Sequence, residues 1–308
     1  MAEHVLVLGA GGFIGQHLLA ALAKNGQAVI AVGRRPFPVV AECIEPVVAD
    51  LREPADFLPL LARARAVVHL ASLSTPGSSA GRPLAELDGN LRPTLALLEA
   101  LQQHPLCHLL YVSSGGTLYG DTHGAPATER DRAWPKSYYG AGKAAAENFI
   151  AAWCSQCASS ATIVRPSNVY GPGQTGHHGF AIIPHAMGRM LRDESLTIWG
   201  DGSAERDYLY IDDFVDLCLR ILAAPRPGST LALNAASGID TRLNALLDQL
   251  ELAAGRPLQR SYAPGRSVDV ARIALDPALA QRLLGWTAST SLQEGLRRTW
   301  AWFSTTRP

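Results

Sequence analysis

The sequence predicts an α/β fold: a mostly parallel sheet wound by helices on both faces, with a smaller α/β part attached. Three observations carry that expectation. Short, β-branched apolar runs alternate with stretches of helical period through the first half of the chain. A glycine-rich segment joins the first such run directly to the first helical period. The length, 308 residues, suits one large α/β unit or a main domain with a lesser one beside it.

Val5-Leu6-Val7-Leu8 reads as the first strand. Ile14, Leu18 and Leu22 then recur every fourth residue, marking an amphipathic helix that ends near Gly26. Further strands are expected at 29–32, 47–49, 67–70, 109–113 and 162–164, with helices at 90–103 and 139–158. After Arg165 the pattern loosens, and a Gly/Pro/His-rich stretch at 170–179 reads as a loop. Helical signals return at 180–192, at 213–223 behind an Asp212 cap, at 241–254 behind a Thr241 cap, at 277–284 and at 291–303. The layout implied is a dinucleotide-binding part, 1–166 plus 208–236, and a smaller part, 167–207 plus 237–308, with the chain crossing more than once.

Bulk composition removes several function classes. Net charge is +0 and the pI is near 7.1, so a basic face for nucleic acid is not expected. The apolar runs fall short of a membrane span, and the chain enters its first strand at once, so neither anchor nor signal peptide is expected. Cysteines at 43, 107, 154, 157 and 218 are odd in number and widely spaced, which points to a reducing, cytoplasmic compartment. Cys154 and Cys157 form a C-x-x-C within an apolar helical stretch, with no second pair and no nearby histidine. Helix packing is the reading, and no metal site is expected.

The segment Gly9-Ala-Gly-Gly12-Phe13-Ile14-Gly15 follows the first strand and opens the first helix. Bare backbone at Gly9 and Gly12 permits a tight turn and close approach of a pyrophosphate, while Gly15 lets helix pack on strand. The helix N-terminus adds unpaired N–H groups and positive partial charge. The second strand ends in Gly33-Arg34-Arg35, without the carboxylate that would hold a free ribose. Arginine there leans toward NADP, or toward stacking on adenine above NAD. Asp50, at the end of the third strand, is placed to meet the adenine edge.

Tyr139-Gly-Ala-Gly-Lys143 spaces a phenol and an ammonium by four residues, one turn apart on a shared helix face. For a tyrosine to act as a base near neutrality, its pKa must fall by about three units from ~10, roughly 4 kcal/mol. One cation about 6 Å away, at an effective dielectric of ~20, supplies about 2.8 kcal/mol. A positively charged oxidised cofactor would supply the rest. Tyr138 is out of step with Lys143 and reads as packing or substrate contact.

These motifs together resemble the extended short-chain dehydrogenase/reductase family, in its nucleotide-sugar epimerase branch. The likeness runs through Gly9 to Gly15, Asp50-Leu51, His69-Leu70-Ala71-Ser72, Asn90, Ser113-Ser114-Gly-Gly-Thr117-Leu-Tyr-Gly120 and Tyr139 to Lys143. It continues through Arg165-Pro166-Ser-Asn168-Val-Tyr-Gly-Pro-Gly173, Leu196-Thr-Ile-Trp199-Gly-Asp-Gly202, Arg206-Asp-Tyr, Arg266-x-x-Asp269 and Leu284-Gly-Trp286. The resemblance implies a Rossmann-type domain holding NAD, with NADP not excluded, and a 4-epimerase acting on a nucleotide-diphosphate sugar through a 4-keto intermediate. It further implies a UDP-linked, 2-acetamido or uronic substrate, a role in surface polysaccharide precursors, and a homodimer built on helices 90–103 and 139–156. Leu70, Ala71, Ser72, Asn90, Ser113 and Pro166 would line the cofactor. Asn168, Arg206 and Arg266 would hold the diphosphate, Trp199 the base and Asp269 the ribose, with Ile273 gating the sugar's C2 substituent.

One position departs from the family. Its usual serine or threonine, which hydrogen-bonds the reacting hydroxyl, falls here on Gly115. Side-chain parity along an extended strand favours Thr117 over Ser114, but a turn would spoil the count, so both stay open. The Asp-Glu pair of the family's dehydratases is replaced by Gly116 and Thr117, which argues against dehydration. Two rivals stand beside the epimerase: an NADPH-dependent reductase of a nucleotide-linked 4-keto sugar, and a non-catalytic NAD(P)-sensing or RNA-binding relative.

Overall fold

The computed structural model describes residues 3–39, 41–122, 124–176, 181–265 and 270–306. The first half runs β1 (His4–Leu8), α1 (Phe13–Lys24), β2 (Val29–Gly33), β3 (Ile44–Val48), α2 (Pro54–Leu61), β4 (Ala64–His69) and α3 (Pro83–Glu86). A π-helical turn, Leu87–Leu91, leads into α4 (Arg92–Leu101), then β5 (His108–Val112), α5 (Gly115–Leu118), α6 (Tyr138–Cys157) and β6 (Ala161–Pro166). The second half runs β7 (Asn168–Tyr170), α7 (Ile182–Leu191), β8 (Leu196–Trp199), β9 (Glu205–Tyr210), α8 (Ile211–Ala223) and β10 (Thr230–Ala235). It ends with β11 (Asp240–Arg242), α9 (Leu243–Ala254), β12 (Arg260–Ala263), β13 (Arg272–Ile273), α10 (Ala278–Leu284) and α11 (Leu292–Thr306).

Seven parallel strands form the main sheet in the order β10-β6-β5-β4-β1-β2-β3. Alternate side chains feed opposite faces. Val5, Val7, Val29 and Ala31 join Leu18, Leu22 and the apolar side of α8, while Leu6, Leu8, Ile30 and Val32 join Phe57, Leu97, Leu101 and Ile150. Helices α1 and α8 therefore cover one face and α2, α4 and α6 the other, which leaves the strands continuously apolar. The strand order reverses between β1 and β4, the crevice where ligands bind in such sheets. The remaining strands make a small sheet, β11-β9-β13 with β7 on β9, and a pair, β12-β8.

Each strand expected in the first half is present. The seventh, β10, is missing from the sequence reading because Thr-Leu-Ala-Leu-Asn-Ala carries little β-branched signal; parallel pairing with β6 overrides that weak propensity. Helix α2 is hidden by Pro54 and Pro59. Proline is tolerated at the first turn, and a reciprocal Glu53–Asp56 capping box starts the helix. The caps expected at Asp212 and Thr241 fall instead on Tyr210 and Arg242, without side-chain bonds. Asp213 spends its carboxylate elsewhere, accepting from Ser289 and Thr290 and so tying α8 to the approach to α11. All five cysteines are free thiols, and Cys154 packs inside the sheet–helix core. Among the described residues no helix is long and apolar enough to cross a membrane, and no cluster suited to a metal ion occurs.

A buried ion pair joins α6 to β6. Glu147 accepts from Nε and Nη2 of Arg165, whose Nη1 reaches the Tyr119 hydroxyl at 2.7 Å and the Glu129 carbonyl at 3.2 Å. Tyr119 donates onward to Asn234 of β10 at 2.8 Å. Arg165→Met should cost about 3–5 kcal/mol in urea unfolding, because Glu147 would stay buried without its cation. The double change with Glu147→Leu should recover part of that loss.

Candidate active site

The glycine segment is shaped by contacts that exclude side chains. Gly9 has φ +87°, and a Cβ there would lie 2.7 Å from the Ala71 amide nitrogen. A Cβ on Gly15 would lie 2.4 Å from the Gly9 carbonyl and 2.6 Å from that of Ala10. Gly12 donates to the Gly9 carbonyl at 3.0 Å and is the N-cap of α1, where no side chain caps the helix. This is the bare, positively polarised cradle that a dinucleotide's pyrophosphate requires. Phe13 and Ile14 are half-buried in the first turn of α1, and Leu70 and Ala71 are half-buried beyond β4.

Around this cradle, three expected cofactor contacts have other partners. Arg34 is exposed after β2, as a stacking residue would be. Asp50 is exposed too, but its carboxylate is paired with Arg52 Nε at 2.8 Å, close to half-buried Leu51. Ser113 is buried and donates to Glu147, so its hydroxyl serves the α6–β6 ion pair rather than lining an open cleft. Asn90 is drawn inward: Nδ2 donates to Ser74 Oγ at 2.7 Å and Glu86 Oε1 at 2.8 Å, and Oδ1 accepts from the Leu73 amide at 2.7 Å. Pro166 closes β6 as a buried residue.

Helix α6 begins where Ser137 caps it, accepting from the Gly140 amide at 3.1 Å. This sets Tyr139 and Lys143 on one face. The Lys143 ammonium is 5% exposed and donates to the Val112 carbonyl at 2.9 Å. It stands 4.8 Å from the Tyr111 ring centre and 5.7 Å from that of Tyr139. Burial draws the Lys143 pKa down to about 8, against the pull of Glu86 and Glu147. Burial, with Glu86 adding to it, pushes the Tyr139 phenol up to about 12, while hydrogen bonds with Ser114 and Ser72 hold it back. The lysine alone therefore does not make a phenolate. The cation that the spacing argument requires from an oxidised cofactor matters more than the sequence arithmetic suggested. Ser72 is exposed, and its hydroxyl donates to the Ser74 carbonyl at 3.0 Å.

Of the two candidate hydroxyls, Ser114 and not Thr117 contributes to holding the Tyr139 pKa back. The parity count fails because Gly115–Leu118 is a helical turn, so successive side chains do not alternate. Thr117 Oγ1 is buried and has no hydrogen-bond partner among the described residues. The glycine at 115 has a steric cause. A Cβ there would fall 2.4 Å from Leu275 Cδ1 and 2.9 Å from the Arg165 carbonyl. The hydroxyl that the family places there has no room.

Glu86 escaped the sequence reading. It is 3% exposed, closes α3 and lies against α6 at Gly142, where a Cβ would be 2.6 Å from Oε1. Its only sequence signal is an acid four residues before Asn90, a common surface pattern.

On the opposite wall, Asn168 opens β7, donates to the Asp207 carbonyl at 2.9 Å and turns Oδ1 toward Gly116. Trp199 ends β8 with 49% of its surface exposed, so it is not core. The Arg206 guanidinium donates to the Glu205 carbonyl at 2.7 Å and the Val270 carbonyl at 2.6 Å. Arg266 and Asp269 lie outside the described residues. Ile273 is 5% exposed and packs with Leu118, Tyr119 and Leu275, beside the Ser114 turn.

Comparison with known proteins agrees with this geometry. Residues 5–236 match the NAD dependent epimerase/dehydratase family. A UDP-glucose 4-epimerase of Mycolicibacterium smegmatis is 32% identical over 97% of both chains. The crystal structure of a Thermotoga maritima UDP-glucose 4-epimerase with UDP-glucose superimposes with a TM-score of 0.92 at 29% identity, covering 99% of this chain and all of that one. A Thermus thermophilus UDP-glucose 4-epimerase in complex with NAD gives 0.90 at 28% identity, covering 98% and 99%. The chain belongs to the NAD-dependent epimerase/dehydratase family, within the extended short-chain dehydrogenases/reductases. It is an epimerase, and its cofactor is NAD; the lean toward NADP drawn from Arg34 and Arg35 is corrected accordingly.

Ser114→Ala should lower kcat by about 10–100-fold, the worth of one hydrogen bond to a charged group in the transition state. Thr117→Val, which deletes a hydroxyl without a protein partner, should change kcat by less than about threefold.

Proposed function

We propose that this enzyme interconverts the C4 epimers of a UDP-linked hexose, with Tyr139 as proton carrier. The observation that carries the reading is that Tyr139 and Lys143 share one face of α6, with the Lys143 ammonium buried, bonded to the Val112 carbonyl and 5.7 Å from the Tyr139 ring centre, in a chain whose first helix opens on a bare glycine cradle. When bound, NAD+ supplies reversible acceptance of a hydride from C4 and a positive charge in the site. Gly9, Gly12 and Gly15 would hold its pyrophosphate, and Arg34 would stack on its adenine. Tyr139 takes the proton of the 4-hydroxyl and later returns it; Ser114 hydrogen-bonds that oxygen; Lys143 stabilises the phenolate. Between these steps the 4-keto sugar turns over in the pocket while the UDP stays fixed.

The nucleotide is assigned to the smaller part of the chain, residues 167–207 and 237–308. Trp199 would stack on uracil, Asn168, Arg206 and Arg266 would hold the diphosphate, and Asp269 the ribose. These contacts are remote from C4, so their binding energy can retain the keto sugar while it rotates. Five free thiols support work in a reducing compartment such as the cytoplasm, where precursors of surface polysaccharide are made. Helices α4 and α6 are assigned to a homodimer contact, supported by Phe149, 49% exposed on α6. Phe149→Glu should then shift the sedimenting mass from twice 32.8 kDa to once.

Tyr139→Phe should lower turnover of UDP-galactose by about 10²–10⁴-fold while UDP and NAD remain bound, with no net NADPH consumption by either form. Undiminished turnover in the variant overturns the scheme. Ile273, apolar and compact beside the Ser114 turn, supports tolerance of a 2-acetamido group. Ile273→Tyr should remove turnover of UDP-N-acetylglucosamine more than tenfold relative to UDP-glucose, read as the ratio of kcat/KM.

A further inference from the structure

No step assigned to the reaction uses Glu86, yet this acid is buried against the catalytic helix. Two independent features seat it. Asn90 Nδ2 donates to Oε1 at 2.8 Å, and Ser74 Oγ donates to Oε2. On the other side is Gly142, the residue before Lys143, and a methyl there would come within 2.6 Å of Oε1. Any side chain at 142 would push the carboxylate off α6. The same acid also anchors a loop. Ser74 is bonded to both Glu86 and Asn90, Asn90 accepts from the Leu73 amide, and Ser72 donates to the Ser74 carbonyl at 3.0 Å.

We propose that Glu86 is a positioning residue for the proton transfer: seated against Gly142, the neighbour of Lys143 on α6, it sets the charge balance of the Tyr139–Lys143 pair. The inference rests on the reading of Tyr139 as proton carrier. Charged and titratable groups reach the pair from every element packed on it. Glu86 comes from α3, Glu147 from α6, Tyr111 from β5 and His69 from β4. His69 is neutral, since burial draws its pKa down to about 3. Glu147 is matched by the Arg165 guanidinium. Among the described residues Glu86 accepts from neutral donors only, Asn90 and Ser74, so its charge is left to balance Lys143. An anion raises the pKa of a neighbouring phenol and of a neighbouring ammonium alike; removing it lowers both.

The test compares Glu86→Gln and Glu86→Asp with the wild type as NAD-loaded enzymes. Near-ultraviolet absorbance titration, with Tyr139→Phe as the blank, reads the phenol directly; the pH profile of kcat on UDP-galactose reads the pair in turnover. In Glu86→Gln the phenol should titrate about one pH unit lower, and both limbs of the profile should move the same way. Glu86→Asp, which keeps the charge, should hold both limbs near the wild type. Lower kcat with unmoved limbs and unmoved phenol titration overturns the proposal and leaves Glu86 a packing residue. If Glu86→Gln does not fold, Gly142→Ala serves instead, since it displaces the acid without removing it. A smaller shift of the same sign is then expected, and no shift overturns the proposal. Full activity of Tyr139→Phe would instead strike the parent reading.

Discussion

Burying an ammonium is costly, and the molecule is arranged around doing so at Lys143. The side chain is held by one carbonyl, Val112 at the end of β5, and by the field of two acids, Glu86 and Glu147. Each of these groups sits on a different element, so β5, α3 and α6 must all be in place before the charge is tolerated. Glu147 in turn needs Arg165 on β6, and Arg165 needs Tyr119 and the Glu129 carbonyl. The chain of dependence ends at Asn234 on β10, the last strand of the sheet. Moving any link would leave a charge unpaired in the interior.

That constraint also explains the chemistry. A lysine so placed keeps positive charge near the phenol at 5.7 Å, yet the same burial raises the phenol's pKa to about 12. Without further positive charge the tyrosine is therefore neutral. Proton removal becomes favourable only when further positive charge arrives, which couples acid–base chemistry to a loaded site. Close packing adds a second constraint. Leu275 fills the space at Gly115, so no side chain, and no hydroxyl, can stand there.

Much of the scaffold was legible in the amino-acid order because it is local or periodic. The strands of β1 to β6 announce themselves as apolar runs, and the glycine segment is readable because 9 and 15 tolerate no side chain. Tyr139 and Lys143 follow from helix pitch alone. Where the reading failed, a long-range contact had overridden a local preference. Strand β10 is made by pairing, α2 by a capping box that outweighs its prolines, and the turn at 115–118 by its place beneath Leu275.

By itself, the sequence determined strands β1 to β6, the glycine turn that opens α1 and the shared helix face of Tyr139 and Lys143, since each is local or periodic. Only the tertiary structure decided that position 115 has no room for a side chain, that Asn90 and Ser113 bond inward, and that Glu86 lies against α6. Those outcomes join residues from 4 to 160 positions apart, Glu86 with Asn90 at one extreme and Gly115 with Leu275 at the other. No spacing rule reaches across such a fold, because burial and electrostatic compensation are properties of the assembled interior rather than of neighbouring residues.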